Sequence, residues 1–401
     1  MILFMLIIIP IALGMVIYLT KSKYYKVMTI TTQLCLLATA SYLFIRIDVL
    51  GHSDMVHHLG GYGSQYGINL LMDNISSLLV LLTTLLFLMA LFYAINSTYM
   101  SPHFLFLFLT LEGLIIGIFL ERDLFSLYAL IEVSTIVVSI LILYKKDPTA
   151  IYDSIVYLFT NVVAMTFYLL GIGYIYKIFG TLDMGELSAS MALVKDQRTL
   201  IIPYALMMTA IGLKSAVMPL FSWLPHAHGS HGAPYIVSAI LSALYIKASL
   251  YIFIRIQAIF AIPLGTHDLF LLFGFFTAFA AILFALSQKD IKLILAYSTV
   301  SQVGLIIIGL SVQTDYSYYG AIFHIFNHAL FKTALFLVAG IIVDTYGTRD
   351  VNKIRGLFKK LPFISVAMVI AILGITGAPL FNGSISKYLI QKGLSSHGYL
   401  E

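Results

Sequence analysis

Six ionisable side chains lie inside long apolar segments of this sequence. They are Glu112, Glu132, Lys214, Lys247, Lys332 and Lys387. A lysine at the centre of a membrane-spanning helix costs about 2.5–3.5 kcal/mol, so such residues are a functional hypothesis by default. Burial disfavours the charged form of either group, whereas a carboxylate close to a lysine favours it. The distance between a lysine and a glutamate can therefore decide whether the lysine holds a proton or passes it on, and the set predicts a proton relay.

A further set of proton-carrying groups lies in the eleventh apolar segment. His324, His328 and Lys332 are spaced four residues apart. Each step of four residues turns an α-helix by about 40°, so the three side chains lie along one face. Histidine titrates nearest to physiological pH. Three titratable groups on one stripe indicate a proton wire, whereas a lone membrane histidine more often makes an interhelical hydrogen bond.

Two structural explanations compete with the relay. A lysine near a helix end can extend its ammonium group to the membrane surface, which fits Lys387 but not Lys247 or Lys332. The latter two lie thirteen residues after Pro234 and fourteen after Tyr318, which is near the middle of a hydrocarbon core about 30 Å thick. The other explanation is a static Lys–Glu pair that only ties two helices together. The number of buried ionisable groups in one chain favours the relay.

The composition identifies the solvent of the chain. Of its 401 residues, 60% are hydrophobic and 10% are charged, with a mean hydropathy of +0.98. Soluble domains carry about 25% charged residues, so this chain has too few charges to cover a surface in water. A soluble enzyme, a disordered chain and a nucleic-acid-binding protein are excluded. Cys35 is the single cysteine, which excludes an internal disulfide and a cysteine-ligated metal cluster within the chain.

The apolar segments predict an all-α polytopic membrane protein with about twelve transmembrane helices. A helix needs about 20 mostly apolar residues to cross the hydrocarbon core. The candidates are Ile2–Leu19, Tyr25–Ile45, Ser76–Ala94, His103–Leu120, Asp123–Leu143, Tyr152–Tyr176, Ile201–Trp223, Pro234–Ile259, Leu269–Ser287, Leu293–Leu310, Tyr318–Val343 and Phe363–Leu394.

The distribution of charge predicts an orientation, because cytoplasmic loops are enriched in Lys and Arg. With the N-terminus outside, twelve of the 23 basic residues fall in inside loops, Lys289 and Lys292 among them, and seven fall in outside loops. The remaining four are the lysines inside apolar segments. The prediction is a multi-pass protein of the plasma membrane or another energy-transducing membrane.

Proline interrupts the seventh and the twelfth segments. The tripeptide Pro-Leu-Phe begins at Pro219 and occurs again from Pro379. The two segments are five spans apart and therefore run in opposite directions. Discontinuous helices in corresponding positions of two halves are typical of inverted-repeat transporters. The freed backbone at a break can hold the water that proton hopping needs.

A cluster of histidines forms a weaker candidate site. His226, His228 and His231 follow Trp223 in a glycine-rich loop. A metal could bind at this spacing, but no carboxylate or cysteine is near in the sequence, so capping at the membrane interface is the better interpretation. No dinucleotide fingerprint, phosphate-binding loop or nucleophile motif is found. We therefore expect neither a metal nor a cofactor on the chain itself.

Several linked motifs are spread from Phe104 to Leu389. They are Leu111-Glu112-Gly113; Asp123-Leu124-Phe125 followed by Glu132; Lys214-Ser215-Ala216; Trp223-Leu224-Pro225-His226-Ala227-His228; Ala233-Pro234; Val237-Ser238-Ala239 followed by Lys247; Asp290-Ile291-Lys292; Leu295-Ala296-Tyr297-Ser298-Thr299-Val300-Ser301-Gln302; His324 with Asn327-His328-Ala329-Leu330-Phe331-Lys332; and Gly377-Ala378-Pro379 with Asn382-Gly383 and Ser386-Lys387. Together they resemble the antiporter-like subunits of complex I, of membrane-bound hydrogenases and of multisubunit Mrp-type cation/proton antiporters.

The resemblance implies a role for each of the buried ionisable residues. The functional residues of the family correspond to Glu132, Lys214, Lys247, His324, His328, Lys332 and Lys387. In the family, Glu132 and Lys214 would form a switching pair, Lys247 would connect it onward, and the lysine at the twelfth helix would face the other side of the membrane. Glu112 resembles a fourth-helix glutamate that only some members carry.

The resemblance also implies a division of the chain. Residues 1–102 would form N-terminal helices 1–3, residues 103–259 a first repeat of helices 4–8, and residues 260–401 a second repeat of helices 9–12. Family members usually have more helices than the twelve predicted here, so the second repeat is expected to be incomplete.

One functional hypothesis and two alternatives follow. The first is a proton-translocating subunit of a complex I-like or hydrogenase-type respiratory complex, whose redox chemistry belongs to partner subunits, as in an NADH:quinone oxidoreductase. The second is a subunit of an Mrp-type Na⁺/H⁺ antiporter driven by ion gradients alone. The third is a non-pumping structural subunit, for which Lys214→Ala would damage assembly and leave transport intact. In each case the partners are other membrane subunits and the lipid bilayer.

Overall fold

The described part of the chain folds into α-helices and one small β-hairpin. The computed structural model describes residues 1–21, 23–61, 67–194, 196–260, 266–312 and 314–398. The α-helices are α1 Ile2–Thr20, α2 Tyr25–Phe44, α3 Asn74–Ala94, α4 Pro102–Leu120, α5 Leu124–Ile142, α6 Pro148–Phe179, α7 Met184–Met191, α8 Ile201–Lys214, α9 Trp223–Gly229, α10 Tyr235–Ile240, α11 Ile246–Phe260, α12 His267–Ser287, α13 Ile291–Ser311, α14 Asp315–Tyr346, α15 Leu357–Lys360, α16 Pro362–Thr376 and α17 Asn382–Ser396. Strands β1 Met55–His58 and β2 Asn69–Met72 pair antiparallel between α2 and α3.

The described residues contain ten uninterrupted helical stretches that are long and apolar enough to cross a membrane. Two of the twelve predicted segments, the seventh and the twelfth, are instead divided into shorter helices. Apolar side chains such as Phe275, Phe279 and Leu283 on α12 are exposed on the surface of the chain, as a bilayer solvent requires. The predicted all-α membrane fold is confirmed, with the hairpin as an unforeseen addition.

Both predicted helix breaks are present. In the seventh segment, α8 ends at Lys214 and α9 begins at Trp223, so Pro219 lies in the gap. In the twelfth, α16 ends at Thr376 and α17 begins at Asn382, with Pro379 between them. Proline lacks the backbone N–H that a continuing helix needs. The carbonyl groups that each break releases must find other donors.

The eighth span is irregular in a way that the sequence pattern did not predict. A π-helical turn, Leu241–Tyr245, separates α10 from α11, and every residue of that turn is buried. A π-helical turn replaces i→i+4 hydrogen bonds by i→i+5 bonds and is frequent at functional sites. Lys247 lies two residues beyond it, in the first turn of α11.

The chain divides into two compact units. The first comprises Met1–Leu141, Leu158–Ile211 and Ala248–Ile262, and the second comprises Ile142–Tyr157, Gly212–Lys247 and Pro263–Glu401. The apolar core of the second unit brings residues of α10, α13, α14 and α16 together, among them the fully buried Phe336 of α14.

One succession of elements occurs twice in the chain. A 32-residue helix follows α5 in one case and α13 in the other. Asp123 pairs through an isolated β-bridge with Asp183, and Asp290 pairs in the same way with Asp350, so both aspartates recur after the same interval. An arginine completes each pair: Arg122 contacts Asp183 at 3.1 Å, and Arg349 contacts Asp290 at 2.8 Å. The same succession of helix, aspartate bridge and arginine is therefore present in both units.

Close helix packing in the first unit depends on glycine. A Cβ atom placed on Gly113 of α4 would lie 2.5 Å from the carbonyl oxygen of Ile7 and 2.6 Å from the side chain of Ile11. Gly14 of α1 approaches the backbone of Phe106 in the same way, with a Cβ distance of 3.1 Å. Helices α1 and α4 can lie this close because neither carries a side chain at these points.

We expect Gly113→Ala to lower the melting temperature of the detergent-solubilised protein. Overpacking a close contact costs about 1–3 kcal/mol, and the atom in the way here is backbone. Gly173→Ala on α6 is the matched control, because no described heavy atom lies within 4 Å of the added methyl group and alanine favours the helix. Equal melting temperatures for the two variants, measured by thermal aggregation on size-exclusion chromatography, would contradict this packing.

Candidate functional site

The structure divides the predicted site residues between the two units. Those in the second unit, called here the buried row, are Lys214, Lys247, His324, His328 and Lys332, which are buried, and Lys387, which is half-buried. Glu112 and Glu132 belong to the first unit. The predicted pairing of Glu132 with Lys214 therefore stays a prediction.

Lys214 is the last residue of α8, directly before the helix break. Its ammonium group donates to the hydroxyl of Tyr245 at 3.0 Å and lies 5.3 Å from the centre of that ring. The break is closed on the other side by Trp223, whose indole N–H donates to the carbonyl of Leu213 at 2.7 Å. Because proline stops the helix here, the lysine projects from a helix end into a buried polar contact.

Lys247 contacts both the π-helical turn and the eleventh span. Its Nζ donates to the carbonyl of Ser242, five residues earlier, at 2.6 Å. It also hydrogen-bonds to Nδ1 of His328, and both side chains are completely buried. An ammonium group has only donors, so when Lys247 is charged this imidazole nitrogen must be unprotonated. The proton states of the two side chains are therefore coupled directly.

The stripe on α14 is confirmed as one buried face. His324, His328 and Lys332 are each no more than 1% exposed. The rings of the two histidines lie 6.3 Å apart at an angle of 28°. Lys332 donates to the carbonyl of Leu295 at 2.8 Å and to the hydroxyl of Ser298 at 2.5 Å, both on α13.

The surroundings of His324 can hold its ring in either protonation state. Nε2 lies 2.9 Å from Oε1 of Gln302, and Nδ1 lies 3.0 Å from Oγ of Ser386. The hydroxyl of Ser386 also reaches the carbonyl of Gly383 at 3.1 Å. With two ring protons, Gln302 and Ser386 both accept while the serine donates to the carbonyl. With one, the serine can donate to the ring instead.

Lys387 lies next to Ser386 and is half-buried at the break of the twelfth span. Its Nζ donates to the carbonyls of Ile375 at 2.8 Å and Thr376 at 3.1 Å, the last two residues of α16. These carbonyls have no continuing helix to bond because the twelfth span is broken there. The break therefore supplies the acceptors for this lysine.

The two predicted glutamates differ in their surroundings within the first unit. Glu112 on α4 is completely buried and accepts a hydrogen bond from Nε2 of Gln33 on α2. Glu132 on α5 is partly exposed. Glu112 is buried, as its place inside an apolar segment predicted, and Gln33 is a partner that the sequence pattern did not indicate.

The histidine-rich segment after Trp223 has a carboxylate partner, contrary to the sequence-based expectation. Nδ1 of His226 lies 2.9 Å from Oδ1 of Asp153 on α6. His228 is buried between the rings of Trp223 and Phe336, at 6.4 and 6.5 Å. The expectation failed because Asp153 lies on another span, far from His226 along the chain. Among the described residues, no group of three or more histidine, cysteine or acidic side chains could hold a metal ion.

The charge distribution assigns Lys292 to an inside loop, and this assignment is wrong because Lys292 lies in the first turn of α13. Its side chain is completely buried. Nζ donates to the carbonyls of Ser230 at 3.0 Å and Ala233 at 2.7 Å, and it lies 4.5 Å from the ring centre of Tyr235. Arg349 donates to the carbonyl of Gly229 at 2.6 Å. The hydrogen bonds of these two cations hold the segment between α9 and α10 in place, and this segment leads directly into the eighth span.

The fold and the buried row define an antiporter-like membrane subunit. Residues 122–400 match the family described as NADH:quinone oxidoreductase/Mrp antiporter, TM. This chain belongs to that family, as its motifs predicted.

Relatives of two kinds are similar to this chain. A Na⁺/H⁺ antiporter subunit of Alkalihalophilus pseudofirmus is 32% identical over 357 residues, covering 87% of this chain and 71% of the relative. The NADH-quinone oxidoreductase subunit N of Desulforudis audaxviator is 33% identical over 353 residues, covering 85% and 70%. A chain of the Mrp complex from Dietzia sp. DQ12-45-1b superimposes with a TM-score of 0.92 at 25% identity, covering 99% of this chain and 75% of that one.

Glu121, which the sequence analysis did not identify, is a buried carboxyl group between α4 and α5. The effect of burial on its pKa can be measured. Its Oε1 accepts from the backbone N–H groups of Arg122 and Asp123 at 3.1 and 3.2 Å. Burial raises the pKa of this carboxyl from 4.5 to about 7. The folded chain therefore binds a proton that the unfolded chain has lost, and stability falls as pH rises through this window.

We expect Glu121→Gln to flatten the pH dependence of the melting temperature between about pH 4.5 and pH 7, and to raise that temperature at pH 8. The neutral amide keeps an acceptor for both N–H groups and never has to be charged. Glu186→Gln, at a partly exposed glutamate of the same unit, is the control. A variant profile parallel to that of the wild type would refute the burial effect.

Proposed function

We propose that this chain carries protons across a membrane as one subunit of a larger complex. The observation that supports this most directly is the contact between Lys247 and Nδ1 of His328. An amine and an imidazole in direct contact can exchange a proton without leaving the protein interior. Neither side chain has water as an alternative partner at the surface, since both are completely buried.

The buried row extends this exchange in two directions. From His328, the ring of His324 and then Ser386 lead to Lys387 at the break of the twelfth span. Toward the seventh span, Lys247 lies two residues after Tyr245, the hydroxyl of which contacts Lys214. Nε2 of His328 has no hydrogen-bond partner among the described residues. Buried polar atoms of this kind are normally satisfied by water, which would complete the steps between neighbouring side chains.

The partners of the lysines suit a carrier more than a static anchor. Lys247, Lys332 and Lys387 rest on backbone carbonyls, a hydroxyl and an imidazole. Neutral dipoles stabilise an ammonium ion less than a carboxylate does, so the proton is held but can be released. A switching pair between Glu132 and Lys214 would then set when release occurs.

The driving force would come from partner subunits. The main candidate is a complex I-like or hydrogenase-type respiratory complex, supported by the similarity to an NADH-quinone oxidoreductase subunit. The second candidate is an Mrp-type Na⁺/H⁺ antiporter, supported by the similarity to a Na⁺/H⁺ antiporter subunit and to a chain of an Mrp complex. In both, the N-terminus would lie outside.

We expect Lys247→Ala to lower proton transport at least about tenfold, as for the loss of a proton-transferring group, with the complex still assembled. Transport would be measured as quenching of a pH-sensitive dye in inverted membrane vesicles, and assembly by native gel. Lys353→Ala, at an exposed lysine, is the control. Wild-type transport in an assembled Lys247→Ala complex would refute the relay, and loss of assembly with normal transport per complex would favour a structural subunit.

We expect Glu132→Gln to reduce transport as strongly, because an amide cannot take part in a charge-dependent switch with Lys214.

The same vesicles distinguish the two driving forces. Collapse of a preformed pH gradient on addition of Na⁺, with no electron donor present, identifies the Mrp-type exchange. Gradient formation that requires an electron donor identifies the respiratory complex.

A further inference from the structure

Lys214 is connected by hydrogen bonds to helix α6. The hydroxyl of Tyr245 accepts from Nζ of Lys214 at 3.0 Å and from the hydroxyl of Tyr157 at 3.0 Å. A tyrosine hydroxyl both donates and accepts, so a proton can arrive at one side of the oxygen while another leaves from it. Two phenols in contact thus lead from the lysine to a residue of α6 in the same unit.

Asp153 lies one turn before Tyr157 on the same face of α6. Residues four apart on a helix are neighbours, with a rise of about 6 Å. The side chain of Asp153 is 12% exposed, and the side chain of its partner His226 is 43% exposed. Since α6 begins at Pro148, Asp153 lies about 8 Å and Tyr157 about 14 Å along the helix from its start. Exposure therefore decreases in steps from His226 to Asp153 to Tyr157.

The space beside this line contains an unsatisfied polar atom. Nδ1 of His228 is buried and has no hydrogen-bond partner among the described residues. The indole of Trp223 lies between this histidine and Tyr157, with ring centres 6.4 and 5.5 Å away. A buried nitrogen of this kind normally bonds to water. The line from Asp153 to Tyr157 thus runs beside a place where water is needed.

Charged and titratable groups face the pair from several elements. On α6 the ring of Tyr152 lies 5.7 Å from that of His226. Asp153 acts electrostatically on Lys292 at the start of α13, as does Lys145 before α6.

Asp147 and Arg349 act electrostatically on His231 in the segment after α9. In the described structure, His226 pairs with the single carboxylate of Asp153 at hydrogen-bonding distance.

We propose that His226 and Asp153 form the proton-uptake site for Lys214, with Tyr157 and Tyr245 as the path between them. This rests on the proposed function, in which Lys214 carries protons. When the amine of Lys214 has lost its proton, it takes one from the hydroxyl of Tyr245. Tyr157 then donates a proton to the oxygen of Tyr245. Asp153 donates a proton to Tyr157 across one helical turn. The His226 imidazolium donates a proton to Asp153, and His226 takes up a new proton from water. Only N–H and O–H bonds form and break.

The pair is suited to take up protons near neutral pH. The hydrogen bond to Asp153 raises the pKa of His226 above its usual range, against the opposing effect of partial burial. The ring is therefore charged at pH values below this raised pKa and loses its second proton as pH rises through it. Removing the negative charge of Asp153 lowers the pKa and shifts the loss to lower pH.

The test measures proton transport by the assembled complex in inverted vesicles as a function of pH. We expect Tyr157→Phe, which deletes one hydroxyl and keeps the ring, to lower transport at least about tenfold. Asp153→Asn is expected to lower transport and to move its alkaline limit to lower pH. Tyr152→Phe is the matched control, because it deletes the neighbouring hydroxyl outside the path and is expected to transport at the wild-type rate.

Cysteine labelling provides an independent measurement. The single native cysteine, Cys35, can be replaced by alanine. In that background we expect a membrane-impermeant methanethiosulfonate to react with His226→Cys from one side of the vesicle only, and the label to block the residual transport. No reaction from either side, or reaction without any effect on transport, would overturn the uptake site.

The outcomes separate this inference from the proposed function. If Lys247→Ala abolishes transport but Tyr157→Phe and Asp153→Asn transport like the wild type with unchanged pH profiles, the proposed function stands and the uptake path is wrong. If the Lys247→Ala complex transports normally, the proposed function fails and the uptake site fails with it.

Discussion

An ammonium group inside a membrane protein must find hydrogen-bond acceptors within the protein, and this constraint organises the second unit. A regular helix has few acceptors to offer, because each carbonyl already bonds an N–H of its own helix. Three of the four lysines lie where helices are irregular, whereas Lys332 shares the carbonyl of Leu295 within α13 and also donates to the hydroxyl of Ser298. Lys387 bonds the carbonyls released at the break of the twelfth span, and Lys247 bonds a carbonyl of the π-helical turn. Lys214 ends a helix at the break of the seventh span. Departures from helical regularity thus supply carbonyl acceptors to Lys247 and Lys387.

The internal repetition shows that one backbone pattern can support two sets of side chains. An aspartate bridge with its arginine occurs in each of the two units. The stripe of His324, His328 and Lys332 on α14 corresponds, at the interval between the two bridges, to Tyr157, Asn161 and Met165 on α6, all of them buried. The bridge and arginine fix the chain just beyond the end of a 32-residue helix, which is a structural requirement common to both copies. The side chains of the stripe differ between the copies. One copy carries two imidazoles and an amine, and the other carries a phenol, an amide and a thioether at the three corresponding positions.

The sequence predicted the class of fold and the burial of several ionisable side chains from local properties. Segment length and hydropathy indicated the spans, proline at 219 and 379 indicated the breaks, and the spacing of His324, His328 and Lys332 indicated one face. Each of these follows from the geometry of a single helix. The sequence failed where the relevant partner is distant: it assigned Lys292 to a loop and His226 to a cluster without a carboxylate. It also missed the π-helical turn, because hydropathy does not report which carbonyl a helix leaves unpaired.

The amino-acid sequence by itself determined that this is a membrane protein with ionisable groups inside its apolar segments. It also determined that the chain belongs to a family of antiporter-like subunits. Tertiary structure alone decided which groups touch. Lys247 and His328 are 81 positions apart, and Tyr157 and Tyr245 are 88 apart. Their contacts exist because spans pack side by side, at a register set by glycine contacts, capped helix starts and buried hydrogen bonds. Periodicity along one helix cannot encode that register, since it depends on the surfaces of two helices at once.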